Sequence, residues 1–369
     1  MSDIQAILAS ARTGVMTRDD MRLLLSIEER EQLDALFAAA YAVKQEFVGK
    51  TAYYRGIVEF SNICRKDCYY CGIRRSKPDV ERFMMKEEEI LKGARWAHEN
   101  NFGSVVLQSG ERSDPYFVDF VEDMLRKIKA LSDGKLGITL SLGEQSPETY
   151  RRWFEAGAHR YLLRIETSNR ELYAKMHPPD HDYNARVQCL YDIRDAGYQV
   201  GTGVMIGLPL QTIDHLVDDI EFFREMDIDM VGMGPFIVSD NTPVAELVED
   251  TEALHSRNFI LALKMISVVR LQLKDVNIAA TTALQALKPL GREMGLKAGA
   301  NIIMPNVSET IYRKNYQLYN NKPCIDEDSG LCSDCLERRI VGIDEEIGYG
   351  EWGDSPHFRK RNQNFKLES

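Results

Sequence analysis

Eight short apolar runs alternate with segments of helical period between residues 51 and 306, and that alternation leaves few folds open. The runs are Tyr53–Phe60, Ser104–Gln108, Leu136–Leu142, Tyr161–Glu166, Gln199–Gly207, Met230–Val238, Asn277–Thr282 and Asn301–Pro305. Most are rich in Val, Ile, Leu or Tyr, and several end in a Gly, Ser, Asn or Pro cluster, as strands do. Between them, Thr212–Met226 carries Ile213, Leu216, Val217, Ile220 and Phe223 on one helical face. Thr212 suits its cap and Asp214 its first turn. Lys86–Asn101 reads as another helix, with three glutamates in its first turn and Gly103 beyond its end. Parallel neighbours need a crossover helix, and eight such units close a (β/α)₈ TIM-type barrel. A doubly wound open sheet is the rival that composition leaves open. Residues 1–50 read as a helical N-terminal extension, 51–306 as the barrel, and 307–369 as a C-terminal extension.

The chain has 46 basic and 57 acidic residues, a net charge of −11. That balance excludes a general binder of nucleic-acid backbone, which needs a basic face. No run of about 18 apolar residues occurs, so no membrane-spanning helix is expected. The first residues lack a basic stretch followed by an apolar one, so a cytoplasmic location is expected. Six of the seven cysteines fall in two groups, Cys64, Cys68, Cys71 and Cys324, Cys332, Cys335. In such a chain these point to metal or redox chemistry before disulfides. Cys189 stands alone and reads as a small buried helix residue.

The first group has the spacing C-x3-C-x2-C and follows the first run directly. It offers three thiolates from one loop. A cubane that normally takes four ligands then keeps one iron open for a substrate or cofactor. Tyr70 stands before the third cysteine, where it can shield the group. Three buried cysteines without function, or a zinc site, are the other readings. No fourth zinc ligand follows at finger-like spacing, since the next histidine, His98, lies inside a predicted helix.

At these residues the chain resembles the radical S-adenosylmethionine (SAM) enzymes, whose signature is this spacing after the first barrel strand. Further segments narrow the resemblance. They include Glu59–Cys68, Leu107–Glu111, Leu140–Glu144, Tyr161–Thr167, Ile206–Pro209, Met233–Phe236, Thr281–Ala283 and Asn301–Asn306. These are similar to the HydE family of [FeFe]-hydrogenase maturases, in order and from end to end. The resemblance implies an enzyme that holds a [4Fe–4S] cluster on Cys64, Cys68 and Cys71 and binds SAM. One electron from the cluster then yields a 5′-deoxyadenosyl radical, with the hard chemistry carried by the cofactor. It implies partner maturases, an electron donor, and a small iron carbonyl–cyanide–cysteine substrate in the barrel.

By the same resemblance Gln108, Thr139, Ser141, Glu166, Arg186 and Tyr316 hold SAM. Arg164, Thr281 and Thr282 hold the substrate's anionic part. No side chain is assigned as a catalytic acid or base. Cys324, Cys332 and Cys335 bind a second cluster in some members, [2Fe–2S] or [4Fe–4S]; zinc with an outside ligand is the alternative. Read without the family, Arg164 and Glu166 lie on one side of a strand and can form a structural ion pair. Thr281 and Thr282 can be plain strand formers closing strand seven. Tyr316 can be a core aromatic, while Met230, Met233 and Met304 suit barrel lining. A methylornithine synthase-like mutase acting on an amino acid is the alternative enzyme. Biotin synthase-like sulfur insertion is more distant, and a non-catalytic scaffold is the alternative of another class.

Overall fold

The computed structural model describes residues 3–326 and 329–368, with the backbone alone described at 329, 331–334 and 363–368. Its strands are β1 (Thr51–Ser61), β2 (Ser104–Ser109), β3 (Gly137–Ser141), β4 (Arg160–Leu162), β5 (Gln199–Thr202), β6 (Met205–Ile206), β7 (Met230–Val231), β8 (Gly234–Pro235), β9 (Asn277–Ile278), β10 (Ile302–Ile303) and β11 (Glu346–Ile347). The sheet runs β10-β1-β2-β3-β4-β5-β7-β9 with every pairing parallel. A parallel bridge between Ala279 and Ile302 brings its two ends together. Asn301 N–H donates to Ile278 O and Ala280 N–H to Ile302 O, both at 2.9 Å. The sheet therefore closes as a barrel, which excludes the doubly wound alternative.

Two expected strands are interrupted where glycines bring their backbones close. A Cβ on Gly203 would lie 1.9 Å from Gly232 O, so the two backbones touch there. The ladder breaks between β5 and β6 and between β7 and β8, and β6 pairs with β8 as a continuation. Strand seven ends earlier than expected. Thr281 does not close it but occupies the N-cap of the helix Thr282–Leu287.

The helices follow their patterns. Ile213–Glu225 is capped by Thr212, whose hydroxyl accepts from His215 N–H, and Glu87–Glu99 follows Lys86. Of the N-terminal helices, Arg18–Leu25 and Arg30–Phe47 pack on the helix Glu252–Gln272. They bury Met21, Leu24, Leu25, Leu36 and Ala40. Each of the Met and Leu side chains contributes roughly 1.5–3 kcal/mol of transfer free energy.

The C-terminal extension is not a free tail. Its first part crosses the C-terminal ends of the strands, and its last part returns to the opposite end. There β11 pairs with the start of β1, Thr51 beside Glu346. Arg160 donates to Trp352 O at 2.9 Å and to Asp354 at 2.6 Å, while Arg55 and Asn277 both donate to Gly353 O. The base of the barrel is thus plugged. Above the plug lies a cavity of about 30 Å³ lined by Arg55, Val106, Thr139, Leu162, Met230 and Met304 among others.

Candidate active site

The cysteine loop leaves β1 at the mouth of the barrel, the face where enzymes of this architecture place their chemistry. Asn62, fully buried, pins its start. Its amide donates to Glu81 O at 2.8 Å and Asn315 O at 2.7 Å, and its carbonyl accepts from Phe83 N–H at 2.8 Å. Gly110 allows the loop to sit on β2, because a Cβ there would lie 2.5 Å from Ile63 O. Glu111 N–H then reaches Cys64 Sγ at 3.3 Å. On the other side Tyr69 and Tyr70 pack on Leu172, Met176, Leu208, Phe236, Val238 and Val244, an apolar wall.

Burial raises the pKa of all three thiols and pushes Cys71 up to about 12; Cys68 and Cys71 also feel the charge of another cysteine of the group. Three adjacent thiolates would therefore need positive charge between them, which iron would supply. Cys64, Cys68 and Cys71 fit a cubane with an open iron. Among the described residues no three His, Cys, Asp or Glu side chains surround a single-ion position.

A charged group stands beside the loop, and register explains it. β2 and β3 pair with Gln108 opposite Ser141, so Glu111 and Glu144, each three residues on, emerge side by side. Glu144 N–H donates to Glu111 Oε2 at 3.0 Å. Gly143 turns with φ +77°, and a Cβ on it would lie 2.2 Å from Glu111 Cγ. Arg186, from the helix Tyr183–Asp195, donates to Arg164 O and Glu144 at 3.0 Å and to Glu111 at 3.3 Å. Two cations of the cysteine loop share these carboxylates: Lys66 pairs with Glu144 at 2.8 Å and Arg65 with Glu111 at 2.9 Å. Burial pushes Glu144 up, yet Arg186 and Lys66 outweigh it and hold it below the usual carboxylate range.

Glu166 pairs with Arg164 at 2.9 Å, the ion pair that their spacing allowed. Burial raises its pKa, and Arg164 and Arg186 oppose that. Its φ of +67° is uncommon for a residue with a side chain and marks local backbone strain. Gln108 Nε2 donates to Tyr316 Oη at 3.2 Å, so these two expected residues meet. Ser141 ends β3, half-buried at the same face.

Other expected residues lie elsewhere. Thr139 faces inward but one layer lower, where its hydroxyl accepts from Arg160 Nε at 3.0 Å, so it belongs with the base. The two threonines part company. Thr282 Oγ1 accepts from Arg292 at 3.0 Å, whereas Thr281 Oγ1 is buried beside Gly234 without a hydrogen-bond partner among the described residues. Cys189 is a buried helix residue. In the second cysteine group, Cys324 has φ +63° and its carbonyl accepts from Arg313, while Cys335 is exposed on the helix Ser329–Val341. The side chain of Cys332 lies outside the described residues.

Glu111, Glu144, Arg65 and Lys66 had no expected role. One signal pointed to two of them: a Gly-Glu pair follows both the second and the third strand.

A family model for the radical SAM superfamily matches residues 58–223. The [FeFe] hydrogenase maturase subunit HydE of Thermotoga maritima is 43% identical over 94% of this chain and 96% of its own length. The 3-methylornithine synthase of Methanosarcina barkeri is 28% identical over 78% of this chain and 79% of its own. A solved structure of methylornithine synthase (PylB) superposes with a TM-score of 0.80 at 25% identity, over 93% of this chain and 98% of the other. With likeness of this extent to a maturase over nearly both full lengths, the chain belongs to the HydE family, within the radical SAM superfamily.

Proposed function

We propose that this chain cleaves SAM reductively in the assembly of the [FeFe]-hydrogenase active-site subcluster, together with partner maturases and an electron donor, in the cytoplasm. The observation that carries the reading is the cysteine loop seated at the barrel mouth against Glu111, Glu144 and Arg186. When bound, a [4Fe–4S] cluster on Cys64, Cys68 and Cys71 supplies the single electron that breaks a sulfur–carbon bond of SAM. The protein's part is to orient and to exclude water. Arg186 can exchange a carboxylate partner for the methionine carboxylate in a fork, and Glu166 can take the ammonium or a ribose hydroxyl. Gln108, Ser141 and Tyr316 line the approach. Arg164 and the unpartnered hydroxyl of Thr281 suit the anionic end of a small substrate in the barrel. Cys324, Cys332 and Cys335 carry the second cluster in this reading, at a distance from the radical chemistry.

A mutase acting on an amino acid is the second reading, favoured by the TM-score of 0.80 to methylornithine synthase. The higher identity to the maturase and the second cysteine group weigh against it. Activation of an apo-hydrogenase by a mixture of maturases, with and without this chain, separates the two. The maturase reading expects activation only with the chain. Equal activation without it, together with isomerisation of an added amino acid, would establish the mutase.

A further inference from the structure

The loop from Cys64 to Gly72 directs most of its backbone donors away from its sulfurs. Arg65 N–H goes to Glu111 O at 2.9 Å, Tyr69 N–H to Met176 O at 3.0 Å, Cys71 N–H to Cys68 O at 3.1 Å and Gly72 N–H to Leu318 O at 3.0 Å. Asp67 N–H goes to His181 Nε2 at 3.1 Å, an acceptor supplied by a side chain. His181 is 8% exposed, and its Nδ1 lies 2.9 Å from Asp180 Oδ1. The carboxylate keeps the proton on Nδ1 and leaves Nε2 as an acceptor. Its neighbour His177 works alike: Nδ1 donates to Tyr173 O at 2.9 Å, and Nε2 accepts from Tyr70 Oη at 3.0 Å. The stretch from Met176 to His181 thus grips the middle of the cysteine loop.

Backbone N–H groups aimed at the sulfurs of a cluster stabilise its reduced, more negative state and raise its potential. An N–H taken by a protein acceptor is withheld from that role. We propose that His181 is a positioning residue: it captures the Asp67 N–H, between two cluster ligands, and so keeps the potential of a cluster held there low. This rests on the cluster assignment made above. A low potential is what reductive cleavage of SAM demands of its electron source.

The test uses the full chain reconstituted with iron and sulfide as wild type, His181→Leu, His181→Gln and Asp180→Ala. Iron and sulfide are counted per chain, and the midpoint potential is read by a redox titration followed by electron paramagnetic resonance. His181→Leu is expected to shift the potential upward at full iron content. His181→Gln, which returns an acceptor, is expected near wild type. Asp180→Ala frees the tautomer at a side chain 62% exposed, so folding is not threatened, and a smaller upward shift is expected. An unchanged potential in His181→Leu, or an equal shift in His181→Gln, overturns the proposal. If His181→Leu takes no cluster, Asp180→Ala decides, an upward shift supporting the proposal and an unchanged potential rejecting it. A wild type that binds no cubane fails the cluster assignment itself, an outcome distinct from variants that match a loaded wild type.

Discussion

Both ends of the barrel bury guanidinium groups, but with opposite partners. At the base, Arg160 lies against Thr139, Trp352 O and Asp354, and Arg55 against Gly353 O and the sulfur of Met230. Burial lowers the pKa of both, Arg160 to about 10. At the mouth, Arg186 is less deeply buried, its side chain 15% exposed, and Glu144 and Glu111 outweigh burial and raise its pKa. The base uses mostly neutral, fixed acceptors, so its cations close the barrel. The mouth gathers Glu111, Glu144 and Glu166 with Arg65, Lys66, Arg164 and Arg186, and such pairs can exchange partners when a zwitterion arrives.

If that contrast is right, substitutions at the two ends fail differently. The largest effect is expected at the base. Arg160→Met removes the cation beside Asp354 and the donor to Trp352 O, and breaking such a buried pair costs about 3–5 kcal/mol, read in urea unfolding. Arg186→Met at the mouth is expected to weaken SAM binding by one to two decades, about 1.5–3 kcal/mol, with a small change in melting temperature. Titration calorimetry on the reconstituted protein measures it, and the reverse pattern would break the comparison.

Smaller effects sharpen it. Hydrogen bonds donated to Asp227 and then to Asp275 raise His357 to about 9, clasping the C-terminal helix Pro356–Glu368 to the base. Its folded pKa lies above the unfolded value of about 6.5, so its stabilisation is complete below that pH and is lost as pH rises through about 9. Stability profiles of wild type and His357→Gln should converge across that window. The smallest effect is expected from changing Cys324, Cys332 and Cys335 together to Ser. Iron counting should show less metal, while 5′-deoxyadenosine formation stays largely intact.

Much of the architecture was legible because it is periodic. The eight runs, the helix caps and the position of the cysteine loop depend on neighbours in sequence. Arg164 and Glu166 were legible as a pair because strands alternate faces. What escaped was tertiary. Glu111 and Glu144 meet only because β2 and β3 share a register, and Thr139 belongs to the base only because Arg160 reaches it from the next strand. The return of the extension rests on the two-residue strand Glu346–Ile347 and on carbonyls of Trp352 and Gly353, which carry no side-chain signal.

The most direct measurement compares 5′-deoxyadenosine produced from SAM under dithionite by reconstituted wild type and Cys68→Ala. One lost thiolate should abolish the product while circular dichroism shows an intact barrel, since Cys68 ends no strand and its loop is held by Asn62, Gly110 and Met176. Product formed by Cys68→Ala at the wild-type rate would contradict the assignment of the loop as the site of SAM cleavage.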